Sequence, residues 1–262
     1  MWNCHRYKTA SLLWVGEVDW ENFKIIVDRV INLYFKKPNY LKINNEPVFS
    51  IYSLTDLVQS FNGLEGTRKA LGYFRKQVKK AGFKGLHLQA VGGDRGNNDK
   101  LGIPSLMGGK YAGGTTINGI ISTLGINSVT SYNMANRSTV YIKDYLRYGE
   151  VGILLWKKWD NMLEIPFFAQ VSVGWDDTPR SPYKGEMHVC HYHNTPESFG
   201  AYLQKAKEYA DNHPEQPKII VINAWNEWVE GSYLEPDMLN GFGYLQAVKK
   251  VLAAQENLTQ LP

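Results

Sequence analysis

Ile219-Ile-Val-Ile222 runs directly into Asn223-Ala-Trp-Asn-Glu-Trp-Val-Glu-Gly231, and a helical pattern over residues 195–213 precedes it. An unbroken apolar run of this length reads as a buried strand, not as the alternating face of a surface strand. The helix before it has Thr195 placed to cap it and Pro196 at its first position, where a missing N–H costs nothing. Helix followed by buried strand is one step of a βα repeat, so the question becomes whether the rest of the chain repeats it.

It does. Residues 19–37 carry Trp20, Phe23, Ile26, Val27, Val30, Ile31 and Tyr34 at helical spacing, stopped by Pro38. Tyr40-Leu-Lys-Ile43, the turn Asn44-Asn-Glu-Pro47 and the strand Val48-Phe-Ser-Ile-Tyr52 follow. A helix over 64–81, ended by Gly82, leads into the strand Leu86-His-Leu-Gln-Ala-Val91. A short helix over 115–124 precedes Ser128-Val-Thr-Ser-Tyr132, and a helical pattern over 140–159 precedes Phe167-Phe-Ala-Gln-Val-Ser-Val173. A helix over 243–255 closes the chain. With Lys218 to Ala224 this makes five strands, and Ser11-Leu-Leu-Trp-Val15 is a sixth candidate. The expected fold class is α/β: a (β/α)8 TIM barrel or an N-terminally incomplete version of it, with parallel strands, outer helices and one domain over 1–262.

Bulk properties exclude several function classes. The charge of +4 comes from 29 basic and 25 acidic residues dispersed along the chain, so no basic track for nucleic acid exists. Two cysteines, Cys4 and Cys190, are too few for a disulfide scaffold. No apolar stretch is long enough for an integral membrane segment, and the residues after Met1 lack the regions of a secretion signal. Read from Met1 the chain is expected in the cytoplasm; a signal upstream would make it periplasmic or secreted. Gly92-Gly-Asp-Arg-Gly-Asn-Asn-Asp99 is a loop that matches neither phosphate-binding nor dinucleotide-binding spacing.

In parallel sheets, functional groups gather beyond the C-terminal ends of the strands, and the unusual residues here fall there. Tyr132 follows one strand, Trp175, Asp176 and Arg180 follow the next, and Trp225, Asn226, Glu227, Trp228 and Glu230 follow the last. Glu227 and Glu230 are interleaved with two tryptophans, whose rings stack on flat, half-apolar ligands and exclude water. Two such neighbouring carboxyl groups cannot both ionise cheaply, which separates a proton donor from a proton acceptor as sugar cleavage requires. Asp176 and Arg180 read equally as a structural ion pair or as sugar contacts. In His188-Val-Cys-His-Tyr-His193, strand alternation places His188 and Cys190 on one face and His191 and His193 on the other, which splits any metal-ligand set, so no metal is expected.

Trp225-Asn-Glu-Trp-Val-Glu-Gly-Ser-Tyr-Leu-Glu-Pro-Asp237, Gly243-Tyr-Leu245 and Gly174-Trp-Asp-Asp-Thr-Pro-Arg180 closely resemble the glycoside hydrolase family 99-like group, including the WbsX-like proteins of bacterial polysaccharide clusters. The similarity runs from near Met1 to about Val251 and includes the strand-turn-strand element at 40–52. The resemblance implies a (β/α)8 barrel acting on an oligosaccharide or polysaccharide substrate, with neither cofactor nor metal. Its characterised members are retaining endo-acting enzymes on α-mannosides. By that likeness Glu227 takes the proton of the substrate's 2-hydroxyl, and Glu230 protonates the leaving oxygen and then activates water. The family pattern carries a further segment before the point matching Trp2-Asn3, so the first barrel strands are expected to be missing. WbsX-like relatives are also described as glycosyltransferases of surface-polysaccharide assembly, which is the second reading. A glycan-binding module without catalysis is the third.

Overall fold

Asp19 starts the first helix, α1 (Trp20–Val30), by accepting the Asn22 N–H at 2.7 Å, which satisfies an otherwise orphaned helix donor. The computed structural model describes residues 18–92, 116–134, 142–179 and 189–253. The sixth strand candidate, most of the loop at 92–99, Arg180 and His188 lie outside these residues. The chain divides into two compact units, Met1–Val129 and Thr130–Pro262.

In the first unit α1 continues through one π-helical turn, Ile31–Phe35, that keeps Ile31 and Phe35 on the buried stripe begun by Phe23 and Val27. β1 (Lys42–Ile43) and β2 (Glu46–Ile51) form a tight antiparallel hairpin. Asn44 and Asn45 both adopt positive φ, 52° and 64°, which is the backbone a two-residue hairpin turn demands and which asparagine tolerates. Ser53 caps α2 (Leu54–Ser60), a helix the apolar pattern had not announced, and α3 (Leu64–Lys80) follows. β3 (His87–Gly92) runs parallel to β2, with Val48 opposite His87. Thr116 caps α4 (Ile117–Leu124), and Gly125 closes it in the left-handed conformation. The strand order in this unit is β1-β2-β3, and β4 (Ser128–Ser131) follows α4 in the chain.

The second unit repeats the alternation. α5 (Tyr145–Met162) begins later than its apolar pattern because the Asp144 carboxylate accepts the Leu146 N–H and fixes the start. The single strand expected over 167–173 is two pieces, β5 (Phe167–Phe168) beside β4 and β6 (Gln170–Ser172), separated at Ala169. α6 (Pro196–Asp211) carries the Thr195 cap and Pro196 where the sequence places them. β7 (Val221–Asn223) runs parallel to β6, pairing Gln170 with Val221 and Ser172 with Asn223. It is shorter than expected because the Ile219 N–H is spent on the Pro217 carbonyl at 2.8 Å, and the first N–H to reach the neighbouring strand's backbone is that of Val221, on the Ala169 carbonyl. The Lys218 ammonium reaches the carbonyls of Ala210, Asp211 and His213 and closes the end of α6. Two antiparallel pieces, β8 (Asn226–Glu227) and β9 (Ser232–Tyr233), and α7 (Gly243–Leu252) complete the described chain. The class is therefore α/β with parallel strands and helices between them, as expected.

Candidate active site

Asn223, the last residue of β7, is buried, and its carbonyl accepts the Val173 N–H at 2.8 Å. The Ser232 hydroxyl lies 2.9 Å from that same carbonyl and 3.0 Å from the Asn223 side-chain oxygen. The strand end is thus tied both to the segment after β6 and to β9. From here β8 leads into a 3₁₀ turn, Trp228–Glu230, and the chain reverses at Gly231, whose φ is 58°.

Gly231 is required on two counts. Its backbone is left-handed, and a Cβ there would sit 2.6 Å from the Cβ of Asp176. That close approach allows the Asp176 N–H to donate to the Glu230 carbonyl at 2.7 Å. The loop after β6 and the acidic segment after β7 are held together by this contact.

Glu230 is only 6% exposed, and its Oε2 accepts the Tyr132 hydroxyl at 3.2 Å. Tyr132 is itself held from behind, since its carbonyl accepts from the Gln170 amide at 3.1 Å inside the unit. Glu227 is half-buried and opens the same 3₁₀ turn, opposite Ser232 in the β8–β9 pair. One carboxyl group is therefore enclosed and one is nearer solvent, a single turn apart.

The two tryptophans are more open than their neighbours, Trp225 at 54% and Trp228 at 45% exposure. The Trp225 carbonyl accepts from the N–H groups of Leu234 and Glu235, which fixes its backbone. The Trp228 indole stacks on Tyr233 with centroids 3.8 Å apart and planes 17° from parallel, and its Nε1 donates to Glu235 at 2.7 Å. Asn226 is exposed in β8. Trp175 is half-buried and joins the loop through its carbonyl, which accepts the His191 N–H. Asp176 Oδ1 accepts from both the backbone and the hydroxyl of Thr178, at 2.9 and 2.6 Å, so this carboxylate shapes its own loop. The structure thus joins Tyr132, Asp176 and Glu230 by hydrogen bonds.

The histidine run departs from the expected alternation. His191 is buried with its ring 4.5 Å from that of Tyr148, whereas His193 is exposed with Nδ1 3.2 Å from Asp144 Oδ1. The two do not share a face because His193 takes a φ of 63°, which ends the extended run. Among the described residues, no group of three His, Cys, Asp or Glu is placed to hold a metal ion.

Three residues absent from the sequence-based site become visible here: Tyr233, Glu235 and Asp237. The Tyr233 hydroxyl donates to Asp237 at 3.1 Å, and burial together with that carboxylate pushes its pKa up. Burial would raise the Asp237 carboxyl, but hydrogen bonds from Asn240 and Tyr233 outweigh it and hold the group below its usual range. Polar residues at every second position were the available signal.

The sequence matches the family model described as Glycosyltransferase WbsX over residues 2–248. The chain belongs to the WbsX family. An 86-residue stretch is 36% identical to the uncharacterized protein WxcX of Xanthomonas campestris pv. campestris, which is 32% of this chain and 12% of that protein. A structure titled glycoside hydrolase-like protein superposes with a TM-score of 0.57 at 15% identity, covering 87% of this chain and 61% of the other. The GH99 endo-alpha-mannosidase from Bacteriodes thetaiotaomicron gives 0.48 at 17% identity, covering 82% and 55%. The first superposition bears on fold alone and agrees with the TIM-barrel class for this WbsX-family chain. The chain spans less than two thirds of the length of each of these relatives. Among the described residues, no helix is long and apolar enough to cross a membrane.

Proposed function

We propose that this WbsX-family chain carries the catalytic centre of a retaining glycoside hydrolase for α-linked, mannose-type oligosaccharides or polysaccharides. The observation that carries the reading is the pairing of an enclosed Glu230, held by Tyr132, with the more open Glu227 one turn away, beyond the C-terminal end of β7. Mannose-type substrate and 2-hydroxyl participation follow from the motif likeness of Asn226-Glu-Trp-Val-Glu-Gly231.

In the first step Glu227 takes the proton from the 2-hydroxyl and that oxygen bonds to the anomeric carbon. The glycosidic bond breaks, and Glu230 delivers its proton to the leaving oxygen. In the second step Glu230, now a carboxylate, takes a proton from water, whose oxygen attacks the anomeric carbon. The C1–O2 bond opens, and Glu227 returns its proton to O2. Two inversions at one carbon give net retention, and the positive charge at C1 is spread as in other glycosidase transition states.

The family description supports a second reading, transfer to an acceptor hydroxyl in place of water. The experiment is incubation of the protein with α-manno-oligosaccharides, with and without a second saccharide as acceptor. Shorter saccharides appearing without acceptor support hydrolysis. Products longer than the starting material, formed only with acceptor, support transfer. Turnover that persists unchanged in both Glu227→Gln and Glu230→Gln removes the acid pair from either reaction.

A further inference from the structure

The segment after the acid pair is built to hold one aromatic ring still. Trp228 is the first residue of the turn that carries Glu230 and directly follows Glu227. Tyr233 covers one face of its indole at 3.8 Å, so with 45% of the residue exposed the opposite face is the one left for a ligand. Glu235 fixes the rotation of the ring by accepting the indole N–H at 2.7 Å. Tyr233 is fixed in turn by donating to Asp237 at 3.1 Å. Asp237 is locked by the Asn240 backbone N–H and side-chain amide, and its carbonyl accepts from Gly241 at 2.9 Å.

A surface tryptophan normally samples several rotamers, and freezing it costs entropy that binding must otherwise supply. Here folding has already paid that cost. A carboxylate accepting the indole N–H also leaves the ring richer in electrons. The negative face of such a ring attracts the positively polarised C–H groups on the flat side of a pyranose. We propose that Trp228 is a one-faced stacking platform for a pyranose ring adjoining the acid pair, and that Tyr233, Glu235 and Asp237 are the positioning residues that hold it. This rests on the glycan reading above and deepens it, because it selects sugars that present an unobstructed C–H face at that subsite.

The test uses the whole chain and α-linked manno-oligosaccharides of two to four units, read by tryptophan fluorescence titration and by KM and kcat. Trp228→Ala is expected to weaken binding and raise KM roughly 10-fold, about 1.4 kcal/mol, with a much smaller change in kcat. Tyr233→Ala and Glu235→Ala should each raise KM by a smaller factor. Tyr233→Phe, which keeps the stack, should lie nearer wild type than Tyr233→Ala, a rescue that a purely structural role for the hydroxyl would not give. Circular dichroism on each variant separates misfolding from loss of the platform. Cleavage with unchanged KM in Trp228→Ala overturns the platform and leaves the hydrolase reading standing. Trp228-dependent binding without cleavage does the reverse. A chain that neither binds nor cleaves these saccharides overturns both.

Discussion

The aromatic cluster of the first unit and the strand-end segment of the second use the same residue types to opposite ends. In the first, Phe23, Phe35, Phe49, Phe61 and Phe74 pack edge-to-face or stacked at centroid distances between 5.1 and 6.4 Å, filling the space between α1, α3 and β2 with rings that need no partner. In the second, Trp225 and Trp228 stand partly in solvent while Gln170, Ser172, Asn223 and Glu230 are buried. Burying polar groups is unfavourable unless each finds a partner, and placing aromatics outside forfeits their burial. One region follows the rule that stabilises a fold; the other inverts it at the C-terminal ends of β6 and β7, where chemistry is expected.

That contrast is broken most severely at the acids. Glu230→Gln keeps the volume and the ability to accept from Tyr132 but removes the transferable proton. Glycan turnover should fall about 10²–10⁴-fold with the melting temperature nearly unchanged. A variant that loses activity only in proportion to lost fold would assign Glu230 to stability instead.

In the first unit the opposite outcome is expected. Phe74→Ala empties the centre of the aromatic cluster and should cost about 3–5 kcal/mol in chemical denaturation. An undiminished denaturation midpoint would show that the cluster is not the main support of α3.

Gly231→Ala tests the point where fold and site meet. The substitution forces a left-handed alanine against Asp176 and strains the Asp176–Glu230 hydrogen bond. A cost of about 1–3 kcal/mol is expected, with activity reduced beyond what the remaining folded fraction explains. Wild-type activity in this variant would mean that the two loops need not be tied.

The smallest effect is expected at the α5–α6 junction, where His213 Nε2 lies 3.2 Å from Asp160. Burial lowers the pKa of this histidine, but the Tyr209 carbonyl and Asp160 outweigh it and raise it above 6.5. The imidazolium form is therefore favoured in the folded state. Its contribution is fully present below about pH 6.5 and fades as pH rises through the higher folded value. Glu215 adds to the same field. Solvent screening keeps the effect under about 1 kcal/mol, so His213→Gln should narrow the stability gap between pH 6 and pH 8 only slightly.

Much of this was legible in the residues. Thr195, Pro196 and the apolar spacing of α3 place those helices well, because caps and periodicity act within one element. The break at Ala169 was not, since Phe167 to Val173 reads as one apolar run and only pairing with different neighbours divides it. The late start of β7 was not legible either, because the turn that ties the Ile219 N–H to the Pro217 carbonyl lies at the head of an unbroken apolar run. At the site, the Glu227–Glu230 spacing is plain in the sequence, and Tyr132 stands out by its place after a strand. Its bond to Glu230 spans 98 positions and required the fold. Tyr233, Glu235 and Asp237 carry no separate signal in the sequence because each is ordinary alone, and only the indole they hold makes them a set.

Following the α-manno-oligosaccharide reaction by proton NMR from its first minutes tests the central assignment most directly. Wild-type protein is expected to release the α-anomer first, and Glu227→Gln and Glu230→Gln almost none. First release of the β-anomer, or equal release by wild type and either variant, would contradict it.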